Sequence, residues 1–351
     1  MRLGSLMDLS IAAVLLQDGI TTGAIYALLG MSLVLVFSVT RVLSFAHGEF
    51  VSYSALSLAA LQAGRVPGIV WLVAGTAVVA GTMEVVDRWR DRDVGRLPKG
   101  LLQQVVLPVA LAGLTAWAAF RQMSLLVQCL LCLAMVTSMG VLAYRIVYQP
   151  IAKAPVLALL IASVGLQLVF VGLGLLFFGV DGVRTPSFWE ARLELGGFSI
   201  AGQAIVIVLT ALALIAGLWI WFSWTMRGAA LRATASNPLG AQLMAISVPF
   251  SGALSFGLSA FIGGLCGLLI GPVVTIYYDS GLMIGLKGLV AAVVGAFASY
   301  PLTLVGALGV GILEVVASFW ASAYKEVVVF LSVIPVLLVL SWRHGPREEG
   351  N

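Results

Sequence analysis

The chain has 351 residues, of which 61% are hydrophobic and 10% charged, with 19 Lys and Arg against 15 Asp and Glu. A soluble domain carries about 25% charged residues, so this chain cannot furnish a solvated surface of the needed size, and it is too rich in apolar residues to be disordered. The net charge of +4 comes with no basic stripe and points to no nucleic-acid partner. A polytopic helical membrane protein is the class that fits.

A spanning helix takes about 20 mostly apolar residues. That length predicts spans at 11–38, 45–63, 68–86, 101–120, 124–143, 155–178, 203–224, 248–271, 284–298, 302–320 and 325–342. The expected fold is therefore all-α, a transmembrane bundle of about 9–11 spans including broken or re-entrant helices. The first run is too long for a cleaved signal and reads as a retained span. Polar connectors fall at Asp87–Gly100, Tyr144–Ala154, Gly179–Gly202 and Thr225–Ser247, followed by a polar tail from Arg343. With the N-terminus outside, the inner connectors hold 12 basic residues and the outer ones 7. That bias sets orientation in membrane proteins, but here it rests on the Asp87–Gly100 connector alone.

Three stretches are dense in unusual residues. The first runs from Gly19 to Phe50 and places Arg41, His47 and Glu49 at the end of a span. Charges inside a membrane chain are costly and are paired or functional. His47 and Glu49 are two apart and do not share a helix face, so Ala46-His47-Gly48 is expected to end one element and start the next. A polar knot holding this break and a pathway role are both open readings. The second stretch is the connector Met226–Ile246. Arg227–Ala235 reads as a short helix, and Ser236 or Asn237 can cap another that has Pro238 at its first position. A helix of small and apolar residues along the membrane face suits a partner's groove; the alternative is an interfacial anchor. The third stretch, Gly281–Tyr300, holds Lys287 among glycines that allow close helix packing. Ser299-Tyr300-Pro301 breaks it from the next span, where Glu314 stands alone as an interhelical partner or a pathway residue.

Several chemistries lack their residues. The sequence has no G-x-x-x-x-G-K-[ST] and no H-E-x-x-H, and no G-x-S-x-G. Cys129 and Cys132 form a C-x-x-C, but no second pair completes a zinc site, and they read as small apolar side chains. Asp18, Glu49 and Glu314 do not form the spaced relay that a proton-driven carrier would use.

Taken together, these stretches resemble the inner-membrane permeases of ABC importers for branched-chain amino acids, the H-type permease of the leucine–isoleucine–valine system. The resemblance is carried by G-x-x-x-G-A-I-Y-A-L at Gly19–Leu28, R-V-L-S-F-A-H-G-E-F at Arg41–Phe50, and R-G-x-A-L-R-A-T-A-x-N-P-x-x-A at Arg227–Ala241. L-K-G-L-V-A-A-V-V-G-A-F-A-S-Y-P at Leu286–Pro301 and Y-K-E-V-V-V-F at Tyr324–Phe330 complete it. The family typically has Asn where Ser44 stands, and Gly-Gly and Ile-Gly near Gly295–Ala298, where this chain has Ala296-Phe297-Ala298. Residues 65–125 depart from the pattern as an atypical extra segment within a single permease domain, 1–351.

The resemblance implies an importer subunit without enzymatic activity of its own. Its partners would be a second related permease, two cytoplasmic ATPase subunits carrying ATP and Mg, an extracytoplasmic substrate-binding protein and the lipid bilayer. It implies no cofactor and no metal in this chain, an N-terminus outside, a cytoplasmic C-terminus, and location in the bacterial inner membrane. Residues 225–247 become the coupling segment, with Arg227, Arg232, Asn237, Pro238, Gly240 and Met244 as its contact set. Gly23, Tyr26, Ser44, His47, Gly48, Glu49, Gly288, Gly295 and Ser299 become candidates for the translocation path or its helix breaks. The implied substrates are branched-chain or other hydrophobic amino acids, with urea, short amides or another small polar solute as the alternative within the family.

Overall fold

The computed structural model describes residues 2–90, 100–121, 123–195 and 198–344. Among these, seven helical runs are long and apolar enough to cross a membrane: Ile11–Thr40, Ile69–Trp89, Leu125–Tyr148, Val156–Phe178, Gly202–Trp224, Val248–Ile270 and Tyr300–Leu338. The fold is an all-α bundle of the polytopic membrane class. In chain order the elements are α1 (Arg2–Thr40), a 3-10 turn (Phe45–Gly48), α2 (Glu49–Gln62), α3 (Ile69–Arg90), a π-helical turn (Leu102–Val106) and α4 (Leu107–Ala119). Next come α5 (Leu125–Ala143) with a second π turn (Tyr144–Tyr148), α6 (Val156–Phe178), strands β1 (Arg192–Leu195) and β2 (Phe198–Ala201), and α7 (Gly202–Trp224). The chain continues through α8 (Met226–Ser236), α9 (Pro238–Leu243), α10 (Val248–Ile270), α11 (Ser280–Val294), α12 (Tyr300–Ala321), α13 (Lys325–Leu331) and α14 (Val333–His344).

The eleven expected segments fall mostly on helix, but seven runs are of membrane length, the tenth and eleventh segments sharing Tyr300–Leu338, and two segments depart from their expected bounds for local reasons. The ninth begins at Ser280 and stops at Val294, because Ala296 and Phe297 take φ values of 50° and 53°. The turn closes with Phe297 N–H donating to the Ala292 carbonyl at 3.0 Å. The eleventh is split at Ser332 between α13 and α14. Pro335 has no N–H for the Leu331 carbonyl and its ring crowds that carbonyl, which breaks the ladder there. The connector Gly179–Gly202, expected as a polar loop, contains an antiparallel hairpin pairing Arg192 with Ala201 and Leu195 with Phe198.

The left-handed conformation is costly for a residue with a Cβ, roughly 1–2 kcal/mol. Ala296→Gly is therefore expected to raise stability by about 1 kcal/mol, offset in part by greater freedom in the unfolded chain. Thermal unfolding in detergent measures this; a lower midpoint for the glycine variant would show that the turn stores no strain.

The chain divides into two compact units. One comprises residues up to Val34, Ser187–Gly217 and those from Leu286 onward; the other comprises Leu35–Pro186 and Leu218–Gly285. In the first, α1 lies against α12 at backbone distance, since a Cβ on Gly23 would stand 2.9 Å from the Leu308 Cα. Small residues of this kind let membrane helices approach. In the second, α10 packs on α5 and α2, around a core including Phe50, Tyr53, Met135, Met139, Phe170 and Ala260.

Candidate functional site

The larger unit gathers the helix-break residues around one carboxylate. α1 ends at Thr40, and Arg41 reverses the chain with φ 58°. The 3-10 turn then delivers Glu49 to the first turn of α2. Ser44, His47, Gly48 and Glu49 are all buried. The Phe45 N–H donates to Ser163 Oγ at 2.7 Å, and His47 Nδ1 lies 2.8 Å from Ser259 Oγ. Glu49 Oε1 accepts from Gln167 Nε2 at 2.8 Å. The other oxygen sits over the first turn of α11, where a Cβ on Gly281 would come within 2.8 Å of Oε2 and 2.7 Å of the Gly48 carbonyl.

Two helix N-termini, those of α2 and α11, thus meet at one buried carboxylate. The orphan N–H groups and the macrodipole of a helix start both favour negative charge there. The sequence singled out Ser44, His47, Gly48 and Glu49, and the structure brings them together. It adds Ser163, Gln167, Ser259 and Gly281, which sequence reasoning missed as lone polar or small residues on apolar helices.

The other unit holds a buried ionic cluster. Tyr26 Oη donates to Glu314 Oε2 at 2.5 Å. Lys287 Nζ donates to Glu314 Oε1 at 2.6 Å and to Glu326 Oε1 at 3.0 Å. Four elements, α1, α11, α12 and α13, are therefore joined by one ammonium group and its partners. Of the two open readings for Glu314, the interhelical partner is the one the geometry supports. Gly288 packs on Leu29, Gly295 lies under Thr303 and the Ser299 carbonyl, and Ser299 Oγ caps α12 by accepting from the Leu302 N–H at 3.4 Å.

The connector after α7 is a two-helix element. Thr225 Oγ1 accepts from the Gly228 N–H at 3.0 Å and starts α8. Asn237 Oδ1 accepts from the Gly240 N–H at 2.9 Å and starts α9, with Pro238 at its first position. Leu231, Thr234 and Ala241 face inward, and the Thr234 hydroxyl donates to Ser251 Oγ at 3.2 Å. Arg227, Arg232, Asn237, Pro238 and Met244 are exposed, and Gly240 is half-buried. Leu239, Leu243 and Met244 leave an apolar edge uncovered, with Leu243 82% exposed.

Asn237→Ala removes the cap and is expected to cost about 1 kcal/mol of local helix stability. Faster amide exchange at 238–243 is the readout, with Asn237→Asp retaining protection. Unchanged exchange in the alanine variant would mean the cap is not what holds α9.

Among the described residues, no three His, Cys, Asp or Glu side chains are grouped to hold a metal ion. Cys129, Cys132 and Cys266 are not joined by disulfides, and Cys132 and Cys266 are buried.

Membrane-length helices, buried ion pairs and a capped surface element between two spans are the architecture of a multi-pass membrane permease. The sequence pattern described as "branched-chain amino acid transport system / permease component" matches residues 102–340, and the chain belongs to that family. It is similar to the high-affinity branched-chain amino acid transport system permease protein LivH of Escherichia coli K12, 26% identical over 342 residues and 92% of each chain. The LivH protein of Salmonella typhimurium is 26% identical over 336 residues, and the BraD protein of Pseudomonas aeruginosa 24% over 337, each with 92% of both chains covered. No solved structure is a significant match.

Proposed function

We propose that this chain is the translocation subunit of an ATP-driven importer for branched-chain or other hydrophobic amino acids. It pairs with a second related permease, two cytoplasmic ATPase subunits that carry the ATP and Mg, and an extracytoplasmic binding protein. It lies in the inner membrane with the N-terminus outside and the C-terminus in the cytoplasm. The observation that carries the reading is the α8–α9 element. Its caps fix its shape, its inner face is anchored, and its outer edge presents Leu239, Leu243 and Met244 beside Arg227 and Arg232. Apolar anchors at such spacing fit a groove on a soluble partner. Motion of the ATPases transmitted through this element would alternate the access of the spans.

The Glu49 region supports a role in the path. Glu49 Oε2, the Oε1 of Gln167 and, further along α2, the hydroxyls of Ser52, Ser54 and Ser57 are buried and close no hydrogen bond among the described residues. A zwitterionic amino acid crossing apolar helices needs such polar groups in place of water.

The test is reconstitution. Proteoliposomes holding the chain with its second permease and ATPases should take up leucine only with ATP and a loaded binding protein, and uptake of urea under the same conditions would move the substrate to the family's alternative. Leucine uptake by the chain without ATPase would sink the importer reading. Single cysteines at Ser187 and Asn237, in a background lacking Cys129, Cys132 and Cys266, test the orientation. An impermeant maleimide on intact cells should label position 187 and spare 237.

A further inference from the structure

The residue that closes α1 is an arginine where the backbone favours glycine. Arg41 takes φ 58°, and its N–H donates to the Phe37 carbonyl at 2.8 Å. This is the left-handed cap in which glycine is usual, because a Cβ is strained there. The side chain does not stay with its own helix. Its Nη2 donates to the Ala235 carbonyl at 3.3 Å, across 194 residues of chain. Ala235 stands in the last turn of α8, where carbonyls lack helical N–H partners and the macrodipole is negative. Pro238 has no N–H to offer and keeps that ladder from running on into α9. The same two elements are packed together as well. Leu35 and Val39 of α1 and Leu231 of α8 are buried in one cluster, with Phe222, Ala235 and Leu258 against it.

Beyond Arg41 the chain is held at successive points as far as the Glu49 break. Thr40 Oγ1 donates to the Val36 carbonyl at 2.7 Å and accepts from the Val42 N–H at 3.3 Å. Val42 is buried beside Val36, Tyr148 and Phe256, and Ser163 holds the Phe45 N–H. We propose that Arg41 is the positioning residue that ties the Ser44–Glu49 break to the α8–α9 element, so that a displacement of α8 carries the break with it. This role rests on the importer reading, in which the ATPases move α8–α9. Two physical points single out Arg41. Apolar packing such as that of Leu35 and Val39 on Leu231 is non-directional, whereas a charge-assisted hydrogen bond fixes register; a turn or retreat of α8 therefore acts on the backbone at Arg41. Left-handed backbone at a residue with a Cβ also persists only where its surroundings over-determine it, and such positions cluster at switch regions. A second tie runs through α10. Thr234 donates to Ser251 in its first turn, and Ser259, about two turns further on, lies 2.8 Å from His47 Nδ1. The break is thus gripped from α8 on both sides, at Arg41 before it and at His47 within it.

The experiment compares leucine uptake and ATP hydrolysis in the same proteoliposomes, holding the full-length chain with its second permease, ATPases and loaded binding protein. Arg41→Asn keeps a residue that tolerates left-handed backbone but is too short to reach Ala235. Leucine moved per ATP hydrolysed should fall about fivefold, within the range by which residues along a coupling route alter it. Arg41→Gly should show the same fall, and because it relieves the strain at this position it guards against misfolding of the asparagine variant. Arg41→Lys should keep most of the parent ratio, since a single carbonyl needs one donor rather than a guanidinium fork. Recovery of the ATPases on co-purification should match the parent in all three, which separates lost coupling from lost docking. An unchanged ratio in Arg41→Asn and Arg41→Gly overturns the assignment, as does a ratio in Arg41→Lys as low as theirs. A fall that follows loss of the ATPases also overturns it, placing Arg41 on the docking surface instead. A parent complex that hydrolyses ATP but takes up no leucine is a failure of the importer reading itself, and it is seen before any variant is compared.

Discussion

Lys287→Met is expected to be strongly destabilising. Lys287 is 6% exposed, and its ammonium holds Glu314 at 2.6 Å and Glu326 at 3.0 Å. Removing one partner of a buried ion pair leaves an uncompensated charge and costs roughly 3–5 kcal/mol. The two carboxylates respond differently to that loss. Glu326 has a side chain 40% exposed and can take up water, whereas Glu314 is 12% exposed and keeps only the Tyr26 hydroxyl. Neutralising Glu314 should therefore rescue the variant: Lys287→Met with Glu314→Gln should recover most of the lost stability, and Lys287→Met with Glu326→Gln should recover little. Thermal unfolding in detergent, read as the midpoint for the three variants and the parent, decides this. A midpoint for Lys287→Met within a degree or two of the parent, corresponding to a few tenths of a kcal/mol, would mean the ammonium is solvated and the cluster is not a clamp. The effect is asymmetric because such pairs matter less for the energy of the pair than for the cost of breaking it. This is the physical content of finding α1, α11, α12 and α13 joined at one cation.

What the residues disclose on their own is local. Asn237-Pro238 and Ser299-Tyr300-Pro301 announce helix starts because cap and proline act within one turn, and both carry the hydrogen bonds expected of them. The break before Glu49 is legible for the same reason. Partners across helices are not. Helices α6 and α7 are apolar all round, so no period in the sequence says which face meets protein. Gln167 lies 118 residues from Glu49 and Arg145 61 from Glu84, and only the rotation of each helix brings them together. The β1–β2 hairpin does carry a sequence signal, since Gly196-Gly197 sits between the alternating Leu193, Leu195 and Phe198, Ile200, a two-residue turn pattern; the surrounding charges of the connector mask it. Ala296-Phe297 stands where the resemblance implies glycines, and the backbone there agrees with that implication. Both residues occupy left-handed backbone that glycine would hold without strain.

Glu49→Ala should impair transport more than Glu49→Gln, and Gly281→Ala should impair it comparably to Glu49→Ala although it removes no polar group. The first comparison rests on what each oxygen does. Oε1 accepts from Gln167 Nε2, and glutamine can supply that acceptor. Its amide nitrogen then replaces Oε2 over the start of α11, turning a donor toward the donors of the helix N-terminus. Alanine removes the acceptor and strands the Gln167 amide, and an unsatisfied buried group costs about 1–3 kcal/mol. The second comparison rests on space. A Cβ at Gly281 would stand 2.7 Å from the Gly48 carbonyl and 2.8 Å from Glu49 Cδ, and real Cβ atoms do not tolerate such approach. The methyl group must therefore push α11 off the carboxylate. ATP-dependent uptake in proteoliposomes, normalised to the amount of inserted protein, is the measurement. If Gln is as damaging as Ala, charge rather than acceptance holds the break, and a pathway role for the carboxylate gains weight. If Gly281→Ala transports normally, the two helix N-termini do not need to meet at Glu49, and the site reduces to the Gln167 contact alone.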